Sequence, residues 1–178
     1  MSCALTQGFT LDCKDAIGGI KSVRLATLSD YEGLAPTVAA GDITAFGSAS
    51  AKFYKYEQLK ETSALTETIN ASTNGSVYYT PEVTVVLSKL ATAKRNEIKL
   101  LAQNRLVAIV ETNDETPHFF VCGVSTGLEV SAGTSATGTA YADLQGYTLT
   151  FSGMESAPML KIEPTSGTYE AMLATITN

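Results

Sequence analysis

The chain has 178 residues, enough for one domain with a substantial core. Its Lys and Arg number 12 and its Asp and Glu 18, so the balance is 12 − 18 = −6, which argues against a protein that wraps DNA or RNA through phosphate contacts. Charged residues are only 17%, against about 25% in a typical soluble domain, and Thr, Ser, Ala and Gly fill the space; such a surface suits extensive protein–protein contact, and also a β-rich secreted domain.

Residues 1–19 read as an irregular N-terminal arm ending in the turn signal Gly18-Gly19. An alternating strand follows over 20–28, then a loop over 29–40 with Gly33 and Pro36, and a short strand over 42–46. The aromatic and Thr content of 51–69 favours two strands, 51–59 and 64–69, over a helix. Asn74-Gly75 is the strongest hairpin signal in the chain. It joins the 64–69 strand to a long strand over 76–87, making a projecting hairpin over 64–87. On the long strand Val77, Tyr79, Pro81, Val83, Val85 and Leu87 share one face, and Tyr78, Thr80, Glu82, Thr84 and Val86 the other. A strand of that length, about twice the usual 5–6 residues, overhangs an ordinary single-domain sheet, so part of it needs a neighbour.

Residues 93–104 give the best helix, with Ile98, Leu101 and Ala102 on one face and Thr92 as the expected N-cap. The β-branched run 106–111 and the segment 118–124 form an antiparallel pair across the Asn113-Asp114 turn. A short strand over 127–130 precedes 131–139, whose small residues predict a flexible loop. Strands over 147–152 and 159–162 precede a polar tail. The sum is a mainly β fold, a β-sandwich or barrel with one flanking α-helix and a long projecting β-hairpin, in a single domain over 1–178.

Enzymatic motifs are missing. Gly18-Gly19 lacks a strand–glycine–helix frame and a following lysine, and GxSxG does not occur. The single histidine, His118, sits beside Phe119 and Phe120 with no partner histidine, which suits a partly buried strand residue better than a base or metal ligand. Cys3, Cys13 and Cys122 are odd in number and lack CxxC spacing. Cys3 and Cys13 can pair in an oxidising compartment, or all three are reduced small hydrophobes of a cytosolic product. Cys122 lies in a β-branched, aromatic run where burial makes a thiol inert. No signal-peptide pattern and no membrane-spanning run is present, so synthesis in the cytosol is expected. No catalytic residue, cofactor or metal site is predicted. Lys94, Arg95, Lys99 and Arg105 are either a solvated helix face or reach acidic groups on a neighbouring subunit.

The succession YYTPEVTVVLSKL, TAKRNEIKLLAQN, RLVAIVETND, HFFVCGVSTGLEVS and GTAYADLQGYTLTFSGMESAP resembles the tail tube proteins of bacteriophages, over roughly residues 18–162. Gly146 to Pro158 is similar to the family's closing strand, where alternation precedes a glycine and an acidic turn. The resemblance implies a β-sandwich or barrel flanked by a helix, assembled into hexameric rings that stack into a hollow tube. Type VI secretion tubes and contractile injection systems share that fold. It also implies a hairpin that lines the lumen or grips the next ring, and an acidic lumen through which DNA slides without specific binding. Partners would be further copies of the chain and other virion tail proteins such as a sheath. The location would be the virion tail, after synthesis in the host cytoplasm. The net charge of −6 agrees with an acidic lumen. Glu82 opposes the apolar face of the long strand, so Glu82 and Glu67 are the lumen-facing candidates. Tyr78 and Tyr79 join the four basic residues as inter-subunit candidates, and the N-terminal arm and the 131–139 loop are expected at contacts between rings. The family supplies no catalytic residues.

Two other readings remain open at this stage. One is another virion β-protein, such as a tail terminator, head–tail connector or capsid decoration protein. The other is a carbohydrate-binding or hydrolytic β-sandwich. The absence of Trp counts against it, while Tyr54, Tyr56, Tyr78 and Tyr79 offer rings that can stack on sugars.

Overall fold

The computed structural model describes residues 8–9, 17–47, 51–165 and 167–178. In chain order the elements are β1 (Ile20–Thr27), α1 (Leu28–Gly33), β2 (Pro36–Ala39), β3 (Asp42–Phe46), β4 (Tyr54–Glu57), β5 (Ala64–Ala71) and β6 (Val77–Ser88). They continue with α2 (Thr92–Gln103), β7 (Leu106–Thr112), β8 (Phe119–Cys122), β9 (Glu129–Ala136), β10 (Gly146–Ser152), β11 (Leu160–Ile162) and α3 (Tyr169–Ile176). Seven strands form one sheet in the order β2-β3-β11-β8-β7-β1-β4, and four form a second in the order β5-β6-β10-β9. All pairs are antiparallel except β11 with β3. Neither sheet closes on itself among the described residues, so the fold is a mainly β sandwich and not a barrel. Among the described residues no helix is long and apolar enough to cross a membrane.

The reason for three layers lies in β7. Its run from Leu106 to Val110 is buried on both faces, as a strand between two cores must be. Leu106, Ala108 and Val110 meet Val83, Val85, Leu149 and Phe151 of the four-stranded sheet. Val107 and Ile109 turn the other way, into a second core with Tyr31 and Leu34 of α1, Phe53, and Leu173 and Ile176 of α3. α2 closes the flank of the first core with Leu101 and Ile98.

The structure corrects the sequence reading at several elements. Three helices are present among the described residues instead of one. α1 stands where a loop was expected. Thr27 caps it by accepting from the Asp30 backbone N–H at 3.2 Å, while its own hydroxyl donates to Asp30 Oδ2 at 2.7 Å. α3 stands where a polar tail was expected, capped by Thr168, whose hydroxyl accepts from Ala171 N at 3.2 Å. Thr92 is the first residue of α2 and not its cap, which is Ala91 without a side-chain bond. The expected flexible loop 131–139 is mostly strand: β9 pairs with β10 along Glu129–Ala136. Its small residues bond through the backbone, which composition does not record, and Gly133 lies so close to Leu149 that a Cβ would approach it at 3.1 Å. The expected arm falls mainly on residues outside the described set, as do Cys3 and Cys13.

Phe151 is fully buried at the centre of the inter-sheet core. Phe151→Ala is expected to cost about 3–5 kcal/mol and to lower the melting temperature by roughly 6–20 °C in thermal unfolding followed by circular dichroism. A loss below about 1 kcal/mol would show that the two sheets are not packed on this residue.

Candidate subunit interface

The four-stranded sheet presents one face to the core and one to its surroundings. Its β5–β6 hairpin turns at Asn74-Gly75, with Gly75 at φ 82° and the Ser72 N–H donating to Ser76 O at 2.8 Å. The register pairs Leu65 with Val83, Glu67 with Pro81, Ile69 with Tyr79 and Ala71 with Val77. Residues directly opposite share a face, so this set belongs to the core side. The far side carries Thr66, Thr68 and Asn70 of β5, Tyr78, Thr80, Glu82 and Thr84 of β6, Thr148, Thr150 and Ser152 of β10, and Ala132 and Thr134 of β9, with Val86 of β6 on the same side but buried. Val86 apart, these are exposed or half-buried. It is a surface of hydroxyls in which the charged strand residues, Glu82 and Glu129, are both acidic.

Glu82 therefore sits where the sequence placed it, opposite the apolar face. Glu67 does not share that face. Its carboxylate accepts from the Met159 backbone N–H at 2.7 Å on the core side, so it anchors the chain before β11. Glu129 takes the place expected for Glu67 on the free face, through a bulge in β9 beside Thr150 and Phe151 that turns Val130 inward and Glu129 outward. A bulge leaves no mark in an alternating pattern read without its partner strand, and Glu129 was missed for that reason.

The basic candidates separate. Lys94 Nζ donates to the Ser88 carbonyl and ties α2 to the end of β6. Arg105 pairs with Glu129 at 3.2 Å on an exposed surface. Arg95 and Lys99 lie exposed on α2. Tyr78 and Tyr79 point to opposite faces of β6, and the Tyr79 backbone exchanges two 2.8 Å hydrogen bonds with Glu155. Tyr56 is bound to Glu97 of α2 through its hydroxyl at 3.1 Å, and burial first, then Glu97, drives its pKa up. Tyr54 and Tyr56 belong to the other sheet, so the four tyrosines do not form one platform.

Both outer strands of the four-stranded sheet, β5 and β9, have one partner among the described residues, β6 and β10 respectively. Each is eight residues long. Each therefore offers a row of free backbone donors and acceptors along its outer edge, the condition under which a strand recruits another chain. β9 bears no charge between Val130 and Ala136, and β5 none but Glu67, whose carboxylate is turned to Met159. The β9 edge is interrupted by its bulge beside Thr150 and Phe151, and the β5 edge carries Glu67 turned inward; apart from Glu129, neither edge presents an outward charged side chain or a proline among the described residues.

Two buried carboxylates hold the frame. Glu155 accepts from the backbone N–H groups of Ser125 and Thr126 at 3.1–3.3 Å and, bonded through its own backbone to Tyr79, ties the outer half of the hairpin to the β8–β9 turn. Glu111 accepts from Ser22 Oγ at 2.6 Å, Lys21 Nζ at 2.8 Å and Arg24 Nη1 at 3.3 Å. The Arg24 guanidinium lies over Phe119, 5.6 Å from the ring centre, and its Nε has no hydrogen-bond partner among the described residues. Burial acts to raise the Glu111 carboxyl, but the bonds from Lys21 and Ser22 and the Arg24 charge outweigh it and hold it below its ordinary value. The Lys21 ammonium is raised in turn by its bond to Glu111. Burial pushes the Cys122 thiol up to about 12. His118 lies against Phe120, with Nδ1 buried and unpartnered among the described residues. No group of three or more His, Cys, Asp or Glu is placed to hold a metal among the described residues.

No protein-family model, no curated protein and no solved structure matches this chain.

Glu111 is the buried counter-charge of Arg24, and Glu111→Gln is expected to cost about 3–5 kcal/mol at pH 7. The folded state holds this proton less tightly than the unfolded state. The stabilisation from the lowered pKa is thus complete above the ordinary value of 4.5 and is lost as pH falls through the lower folded value. Urea unfolding of both proteins should show a gap that narrows below about pH 4.5. A gap that stays constant down to pH 3 would remove the linkage.

Proposed function

We propose that this chain is the structural subunit of a phage-type tail tube, joining copies of itself into rings through the two open edges of its four-stranded sheet. The observation that carries this reading is that one sheet combines two outer strands unpaired along their far edges among the described residues with a hydroxyl-rich face whose charged strand residues are acidic. Pairing β5 of one copy with β9 of the next is a head-to-tail contact, and a head-to-tail contact closes into a ring when its rotation permits. The seven-stranded sheet and the helices then lie outside, and the hydroxyl face lines the lumen.

The dimensions agree with that role. Six copies, the number the resemblance implies, would supply 24 strands at about 4.8 Å each. That gives a circumference of roughly 115 Å and a diameter of about 37 Å between backbones, before strand tilt widens it. Glu82 and Glu129 would recur around the lumen. At a screening length of about 8 Å they would repel a passing polyanion only at close range, which favours sliding over adhesion. Arg105 beside Glu129 moderates that field.

A carbohydrate-binding sandwich needs a shared aromatic surface, and the tyrosines do not provide one. A tail terminator or connector would use the same edges in a single ring.

Thr66→Lys with Thr68→Lys adds two charges to the open edge without touching the core. The variant is expected to fold with wild-type stability but to sediment as a monomer where the parent chain assembles. Closed rings from the doubly charged variant would exclude β5 from the contact.

A further inference from the structure

The turn of the β5–β6 hairpin carries a reactive pair that the fold leaves free. An asparagine side chain is stable in a protein unless the backbone nitrogen of the next residue reaches its carbonyl carbon. That ring closure is an intramolecular attack, and its rate depends on how freely the two atoms approach. Asn70, Asn74, Asn96, Asn104 and Asn113 each precede such a nitrogen, and local structure separates them.

Asn70 is held by its side chain, which donates to Thr80 Oγ1 at 2.9 Å and to the Thr68 carbonyl at 3.3 Å. Asn104 donates to the Leu100 carbonyl at 2.8 Å, and Asn113 to the Gly18 carbonyl at 3.4 Å. Asn96 lies inside α2, where the helical hydrogen bonds fix the nitrogen of Glu97. Asn74 differs on each count. It is exposed, and its side chain makes no hydrogen bond among the described residues, although its backbone N–H donates to Ser72 Oγ at 3.3 Å. The residue after it is Gly75, with φ 82° and nothing within 4 Å of the place a Cβ would take. The other four precede Ala71, Glu97, Arg105 and Asp114, whose side chains crowd the attacking nitrogen.

One bond opposes the reaction. The Gly75 N–H donates to the Ser72 carbonyl at 3.0 Å, so the nitrogen is free only when the turn opens. β10 covers β6 only from Glu82 to Ser88, which leaves the turn with no third strand beside it. Segments with so little cover open locally at a small fraction of the global unfolding free energy.

We propose that Asn74 is a self-modification site, where the chain converts its own side-chain amide to a carboxylate. The Gly75 backbone nitrogen gives its proton to solvent base and bonds to Asn74 Cγ. The bond from Cγ to the side-chain nitrogen breaks, and that nitrogen takes up a proton and leaves as ammonia. The cyclic imide then adds one water at either carbonyl and opens to aspartate or to isoaspartate. No electron changes hands and no co-reactant but water is needed. Either product puts a negative charge into the stretch from Thr68 to Pro81, which has none. Isoaspartate also routes the main chain through the side-chain carbon. That adds a backbone atom to a turn closed by the Ser72 N–H on the Ser76 carbonyl at 2.8 Å. The turn thus ages into a charged and loosened form, whether or not copies of the chain assemble.

The test is a time course on the full-length folded chain at neutral pH and physiological temperature, read by peptide mapping with mass spectrometry. Fragment ions separate Asn74 from Asn70. The amide-to-acid mass gain is expected at Asn74 at least about tenfold faster than at any other asparagine. It should appear as two products of equal mass and different retention, and rise faster in mildly alkaline than in mildly acidic buffer. Urea should accelerate it further by removing the Ser72 bond. Asn74→Gln lengthens the ring that must close and should abolish the gain without moving the thermal unfolding midpoint. A gain spread evenly over the asparagines, a gain that survives Asn74→Gln, or a single product without its isoaspartate partner would overturn the proposal. So would an amide that is lost in urea and never in the folded chain.

Discussion

The inward side chains of β6 meet two different surroundings. Val83, Val85 and Leu87 are sealed against β7 and the first core, while Val77, on the same face, is left half exposed among the described residues. Strand alternation is set by backbone geometry and does not stop where the core stops. A long apolar stripe therefore fixes the register of the hairpin at one end and leaves surface unsatisfied at the other. The same sheet that closes one core thus presents, at its edges and at the hairpin, the surface on which the ring-forming proposal rests.

The frame behind that sheet is held by buried polar groups as well as by apolar packing. Glu155 spans two backbone donors of the β8–β9 turn and bonds β6 through its own backbone, so the hairpin leaves the sandwich at a fixed place. Glu111, Arg24 and Ser22 form a hydrogen-bonded cluster on the far side of the large sheet, beside α3, with Arg24 Nε its one buried atom left without a partner among the described residues. Removing one charge of such a cluster would be costly, which ties β1 to β7. A rigid frame limits what an exposed edge has to lose in conformational entropy when it pairs with another chain.

Much of the sandwich could be read from side-chain pattern because its signals are local. The alternation of 76–87, the Asn74-Gly75 turn and the β-branched run at Leu106 each mark a strand without help from a partner. The two missed helices were also written locally. Thr27 and Asp30 form a capping pair, and Tyr169, Met172, Leu173 and Ile176 have helical spacing, but the small and polar residues around them read as loop. What could not be read belongs to the backbone or to register. β9 holds its place through main-chain bonds among residues with almost no side-chain signature, whereas the face of Glu67 was legible, since alternation alone sets it with Leu65 and Ile69. The free hydroxyl face, assembled from two hairpins far apart in sequence, becomes visible only once the order of the strands is known. For the same reason Glu129 was out of reach and Glu82 was not.

The claim that everything else depends on is that open strand edges join copies of this chain into closed rings. Negative-stain electron microscopy of the purified chain at high concentration tests it most directly. The account predicts hollow rings, singly or in stacks, of one symmetry and with a central opening of a few nanometres. A field of uniform, separate particles of the monomer's size at every concentration would contradict it.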